Sequence, residues 1–120
     1  MEDQLILEIR DLGSVTIKLE PAVSPMTYAR LVRSLPTKMN LIRYGQIIII
    51  PIDLGLVSEG RRTSMKPLEV GYWVKKRSLV VSLGNVDLGE PINVIGYVTS
   101  GAELLSKING GAFVRLFINK

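Results

Sequence analysis

The chain has 120 residues, 47% of them hydrophobic, and 15 Lys and Arg against 11 Asp and Glu give a formal net charge of +4. That length suits one domain over residues 1–120 with its own core, and no run reaches the roughly 20 apolar residues needed to span a bilayer as a helix. With no Cys and no His, disulfides, thiolate nucleophiles, thiolate or imidazole metal sites and imidazole acid–base catalysis are all excluded.

The acidic start, Met1 to Gln4, is unlike the basic start of a signal peptide, so a cytoplasmic protein is expected. A first strand is expected over Gln4 to Arg10, where Leu5, Leu7 and Ile9 alternate with Ile6, Glu8 and Arg10. Asp11 to Ser14 is turn-like, and Val15 to Glu20 repeats the alternation as the second strand of a hairpin. Ser24-Pro25 starts a helix: Ser can cap it, and Pro at the first helical position needs no N–H. Tyr28, Leu31, Val32 and Leu35 then form one apolar stripe, and Pro36 stops the helix.

Met39 to Tyr44 and Gln46 to Ile52 are expected as two further strands about Gly45, or as a single bent strand. The run Ile47 to Ile50 lacks alternation, so both of its faces need cover, as from a barrel core on one side and a helix on the other. Left bare, it would favour self-association, which makes a homo-oligomer one expectation. Leu54 to Pro67 is expected as a surface loop, Glu69 to Val74 as a short strand holding the single Trp, Lys75 to Arg77 as a basic turn, and Ser78 to Leu83 as another strand. After a loop over Gly84 to Pro91, Asn93 to Val98 forms a strand in which Gly96 suits a bulge or a close backbone approach. Ser100 and Glu103 have capping-box spacing for a helix over Ala102 to Ile108. Lys107 favours its C-terminus, and Asn109-Gly110-Gly111 ends it before a last strand over Ala112 to Ile118.

Two segments carry a family resemblance. Gly13 to Pro21 (GSVTIKLEP) with Ser24-Pro25-Met26-Thr27 resembles the opening of cyclophilins, and Asn93 to Ile108 (NVIGYVTSGAELLSKI) resembles their late strand and helix. Gly71-Tyr72-Trp73 and Leu79 to Gly84 are similar to a smaller, uncharacterised prokaryotic family of cyclophilin-like proteins. The resemblance implies a mainly β fold: a closed barrel of about eight strands capped by two α-helices.

For activity, the resemblance points to prolyl isomerisation, which needs no proton transfer: binding the twisted amide lowers its rotational barrier. Cyclophilins use an Arg on a barrel strand for this. The corresponding strand here, Gln46 to Ile52, has none, which leaves Arg43 as the nearby substitute. Tyr72 and Trp73 are candidates to line a peptide or small-ligand pocket with Arg43, their rings packing on an apolar group. The expectation is therefore a non-catalytic or weakly active module that binds a peptide or small ligand, with a divergent isomerase as the alternative and a basic nucleic-acid-binding barrel as the second. Arg61, Arg62, Lys66, Lys75, Lys76 and Arg77 are the cations that this nucleic-acid reading would use, but loop cations of this kind read first as solvated charge, which ranks a nucleic-acid partner below a peptide or small ligand; no membrane partner is expected. Asp53, Glu59, Asp87 and Glu90 lack the spacing of a catalytic or metal-binding pair, and no cofactor or metal is expected. The Ile-, Leu-, Val-, Lys- and Arg-rich composition is compatible with a heat-adapted protein.

Overall fold

Alternating apolar residues define most of the strands, and their pairing closes the sheet. The computed structural model describes residues 3–119; Met1 and Glu2 of the acidic start, and Lys120, lie outside the described residues. In chain order the elements are β1 (Gln4–Ile9), β2 (Gly13–Leu19), α1 (Pro25–Ser34), β3 (Thr37–Tyr44), β4 (Ile47–Pro51), β5 (Ser64–Met65), β6 (Glu69–Trp73), β7 (Ser78–Ser82), β8 (Val86–Asp87), β9 (Ile92–Ser100), α2 (Ala102–Leu105) and β10 (Gly111–Asn119). Eight strands form a closed antiparallel barrel in the order β1-β10-β3-β4-β7-β6-β9-β2. The protein is thus mainly β, a closed eight-stranded barrel with two short helices, and closure leaves that sheet without a free edge.

The barrel interior is filled by side chains. Leu5, Leu7 and Ile9 of β1, Val15, Ile17 and Leu19 of β2, and Ile48, Ile50, Tyr72, Leu79, Val81, Val114 and Leu116 are all buried. Leu31 of α1, Leu105 of α2 and Ile108 belong to the same cluster, so both helices are tied to the barrel through this core.

Gly96 does what its position in the sequence indicates. Val70 pairs with Gly96 but Gly71 pairs with Val94, so β9 carries a bulge there. A Cβ on Gly96 would lie 2.0 Å from the Lys18 carbonyl oxygen, a contact that no side chain can make. The bulge also resets the alternation. Ile92 and Val94 join an outer cluster, whereas Ile95 and Val98 join the barrel core.

Two segments expected as loops contain a further element. β5 and β8 pair antiparallel as a separate ribbon, with Ser64 opposite Asp87 and Met65 opposite Val86. Met65 is buried and packs with Val80, Ile92 and Val94 on the outside of the barrel, joined by half-buried Ile47, Trp73, Val86 and Leu88. The isoleucine run is therefore covered as expected on its inner face, by the core at Ile48 and Ile50, while at Ile47 the outer cover is this ribbon and not a helix. Two-residue strands are too short to show a period, so their sequence looks like loop.

The helix caps also differ from expectation. Pro25 occupies the first turn of α1 as expected, but the side chain of Ser24 makes no cap hydrogen bond. Glu59, 32 residues further along the chain than Thr27, does so instead. The Met26 N–H donates to Glu59 Oε1 (2.9 Å), and the Thr27 N–H (2.8 Å) and hydroxyl (2.6 Å) donate to Oε2. The Glu59 N–H in turn donates to Asn93 Oδ1 (2.8 Å), and Asn93 Nδ2 donates to Thr27 Oγ1 and the Val57 carbonyl, both at 3.0 Å. Buried Asn93 thus knots the loop, α1 and β9 together. Burial pushes the Glu59 carboxyl up, but the Thr27 hydroxyl and the Met26 and Thr27 N–H groups outweigh it and hold the carboxyl below its ordinary value.

At α2 the expected Ser100 capping box is absent. Ser100 remains in β9, paired with Thr16, and Gly101 becomes the cap residue with φ 84°. A Cβ at Gly101 would lie 2.5 Å from the Ser14 carbonyl oxygen, so strand pairing and this close approach together displace the start of the helix. The helix is a single turn ending at Leu105, not Ile108.

Candidate functional site

Arg43, Tyr72 and Trp73 do not converge. Arg43 donates through Nη1 to the Ser106 (2.9 Å) and Ile108 (3.2 Å) carbonyls and through Nε to the Gly45 carbonyl (3.0 Å). It thereby supplies the cation that the turns after α2 need, a role the sequence pointed to at Lys107. Tyr72 points into the core, fully buried, and its hydroxyl accepts the Leu54 N–H (3.1 Å). Burial pushes its phenol up from the ordinary value. Trp73, its neighbour, faces outward, because successive strand residues alternate. Its Nε1 donates to Glu90 Oε1 (2.8 Å), and Lys76 Nζ lies 5.8 Å from the ring centroid. The Trp73 hydrogen bond and then Lys75 hold the Glu90 carboxyl below its ordinary value.

Among the described residues, three of the six loop cations have carboxylate partners. Arg62 pairs with Glu69, Lys75 with Glu90 (3.4 Å) and Arg77 with Asp53 (3.7 Å). Among the described residues no group of three or more carboxylates could hold a metal ion, and no helix is long and apolar enough to cross a membrane.

The opposite wall of the barrel has a different character. Phe113, Arg115 and Phe117 lie at alternate positions of β10 and so share its outer face. Arg115 stands in register with Glu8 of β1 on one side and Lys38 of β3 on the other. Arg10, just beyond β1, donates its N–H to the Phe113 carbonyl (3.0 Å), and its guanidinium carbon lies 5.7 Å from the Phe113 ring centroid. The Arg115 guanidinium carbon is 4.4 Å from the Phe117 ring centroid, a close cation–π stack. Arg115 also approaches Glu8 at 3.9 Å, both side chains about half exposed, so that pair contributes little. Lys38 makes no ion pair among the described residues.

Three adjoining concavities open along this wall. One of about 420 Å³ lies between Arg10, Phe113 and Lys38, a second of about 440 Å³ over Pro36 and Lys38, and a third of about 360 Å³ between Leu35 and Phe117. Arg115 borders all three. Phe113 is 40% exposed here, whereas the outward Val80 and Ile92 of the other wall are buried under the ribbon.

No family model matches the chain, and no curated protein matches it. Among solved structures it is similar to the solution structure of a hypothetical protein from Archaeoglobus fulgidus. The TM-score is 0.81 over 97% of this chain and 94% of that one, at 19% sequence identity. The likeness is one of fold.

The sequence singled out none of Arg10, Lys38, Phe113, Arg115 and Phe117 as a site. Only the run Phe113-x-Arg115-x-Phe117 carries a local signal, an aromatic–cation–aromatic row at the strand period. Arg10 and Lys38 join it only through cross-strand register.

Proposed function

We propose that the protein is a non-catalytic binding barrel whose ligand, an anion bearing a flat apolar group, docks on the outer wall made by β1, β10 and β3. The observation that carries this is the Phe113-Arg115-Phe117 row flanked by Arg10 and Lys38 across three adjoining concavities. Cations there attract the anionic part, and the exposed Phe113 ring, with half-buried Phe117 beside it, offers an apolar stacking surface. Cyclophilin-like kinship, a cytoplasmic setting and heat resistance belong to the same proposal. The motifs around Gly13 and Asn93 support the first, and the Cys-free composition and closed, filled barrel are compatible with the others.

The prolyl isomerase alternative has less support. The Arg43 guanidinium is already engaged by three backbone carbonyls, and β4 offers no Arg in its place. The cis/trans exchange rate of an X-Pro peptide, measured by NMR, is expected to be unchanged by added protein.

Phenyl phosphate, which joins a ring to a dianion, is the direct probe. Saturation-transfer NMR should show its ring protons contacting the protein, with the signal lost in Phe113→Ala/Arg115→Ala and kept in Trp73→Phe. Signal that survives the double variant and disappears with Trp73→Phe would move the site to the other wall.

A further inference from the structure

The chemistry of the β1-β10-β3 wall can be narrowed, on the premise that this wall is the binding site. We infer that its occupant is single-stranded nucleic acid. Three cations, Arg10, Lys38 and Arg115, face one carboxylate, Glu8, so the wall is complementary to a polyanion. Net charge does not by itself set this wall apart, because the loop cations Arg62, Lys75 and Arg77 have carboxylate partners much as Arg115 has Glu8; its cations differ in lying among the rings of Phe113 and Phe117.

Charge alone does not separate nucleic acid from an acidic peptide, but two features do. An extended peptide commonly docks by adding a strand to an open sheet edge, and the closed barrel offers none. The cations are also interleaved with rings. Phe113 and Phe117 lie four residues apart on one strand, about 14 Å at strand rise, with Arg115 between them along the strand and its guanidinium stacked on the Phe117 ring. Rings and planar guanidinium groups accept the face of any base, while neighbouring cations take phosphates; that combination is how sequence-tolerant single-strand binders work. The concavities are shallow and lie side by side, which suits successive bases better than one enclosed ligand. A duplex hides its base faces and would forgo the stacking.

The experiment is fluorescence anisotropy of labelled octathymidylate with the full chain, with an eight-base-pair duplex and hexaglutamate as parallel probes. Octathymidylate should bind more tightly than the duplex. If three phosphates are neutralised, affinity should fall about twentyfold when salt rises from about 50 to about 200 mM. Phe113→Ala removes one stacking surface and should weaken binding by about 5- to 150-fold. Arg10→Glu/Lys38→Glu should abolish binding while circular dichroism remains that of the folded barrel, and Lys75→Glu/Lys76→Glu should leave it unchanged. Hexaglutamate binding with octathymidylate silent would overturn the nucleic-acid inference and leave the anion-binding wall standing. Silence towards both probes and towards phenyl phosphate would remove the wall as a site altogether. Equal binding of duplex and single strand, or loss only in the Lys75/Lys76 variant, would likewise overturn the inference.

Discussion

The two walls of the barrel have the same raw material and use it differently. On the β4-β7-β6-β9 side, outward Val80, Ile92 and Val94 are apolar and covered by the chain's own β5-β8 ribbon, with Met65 as the plug. On the β1-β10-β3 side, outward Phe113 remains 40% exposed, and Arg10, Lys38 and Arg115 surround it. The covered wall is a stability feature, and on the proposed function the bare one is where a partner would gain from contact.

That contrast can be broken from the covered side first. Met65→Ala removes the plug from the outer cluster and should cost about 2–5 kcal/mol, the range for truncating a buried Met. Urea denaturation checks the global cost. Hydrogen exchange at the Leu88 amide, which donates to the Thr63 carbonyl, should show whether the ribbon opens first. If Met65→Ala were neutral, the ribbon would not be what stabilises that wall.

A smaller effect is expected at the Glu59 cap. Glu59→Gln keeps one oxygen acceptor but loses the charge facing the α1 N-terminus, and should cost about 1 kcal/mol, within the range for helix N-caps. The pH dependence has a definite sign. The folded carboxyl titrates below its ordinary value of 4.5, so its contribution is complete above that value and is lost as pH falls through the folded value. Wild type should therefore lose stability more steeply than Glu59→Gln on the acid side, and the two curves should run parallel near neutrality. Identical acid limbs would show that the carboxylate contributes nothing.

The smallest stability effect belongs to the bare wall. Phe113→Ala should shift the unfolding free energy by no more than about 0.5 kcal/mol, as for surface positions away from caps and cores. A large loss would make Phe113 a packing residue and remove the reason to treat it as a ligand contact.

Much of this division was legible in the sequence only as fold. The alternation in Leu5, Leu7, Ile9 and Val15, Ile17, Leu19 marks the strands that build the core, and Pro25 marks the start of α1. Gly96 stood out because a Gly inside a β-branched run needs a backbone reason, and the Lys18 carbonyl supplies it. The errors have a common physical cause, that long-range partners decide local outcomes. Glu59 displaces Ser24 as the cap, Thr16 holds Ser100 in a strand, and the ribbon is fixed by burial of Met65 and not by its own two-residue strands. The candidate pocket failed for a simpler reason. Tyr72 and Trp73 are adjacent on a strand, so they face opposite sides, one the core and the other the ribbon. Arg10, Lys38 and Arg115 are far apart in sequence and meet only because β10 pairs with both β1 and β3.

The measurement that addresses the difference between the walls most directly is a map of backbone amide and indole NMR shifts while octathymidylate is added to the intact chain. Binding on the bare wall predicts shifts concentrated at Arg10, Lys38 to Asn40 and Phe113 to Phe117, with the Trp73 indole N–H, held by Glu90, unmoved. Shifts centred on Trp73 and Lys75 to Arg77, with β10 silent, would contradict it.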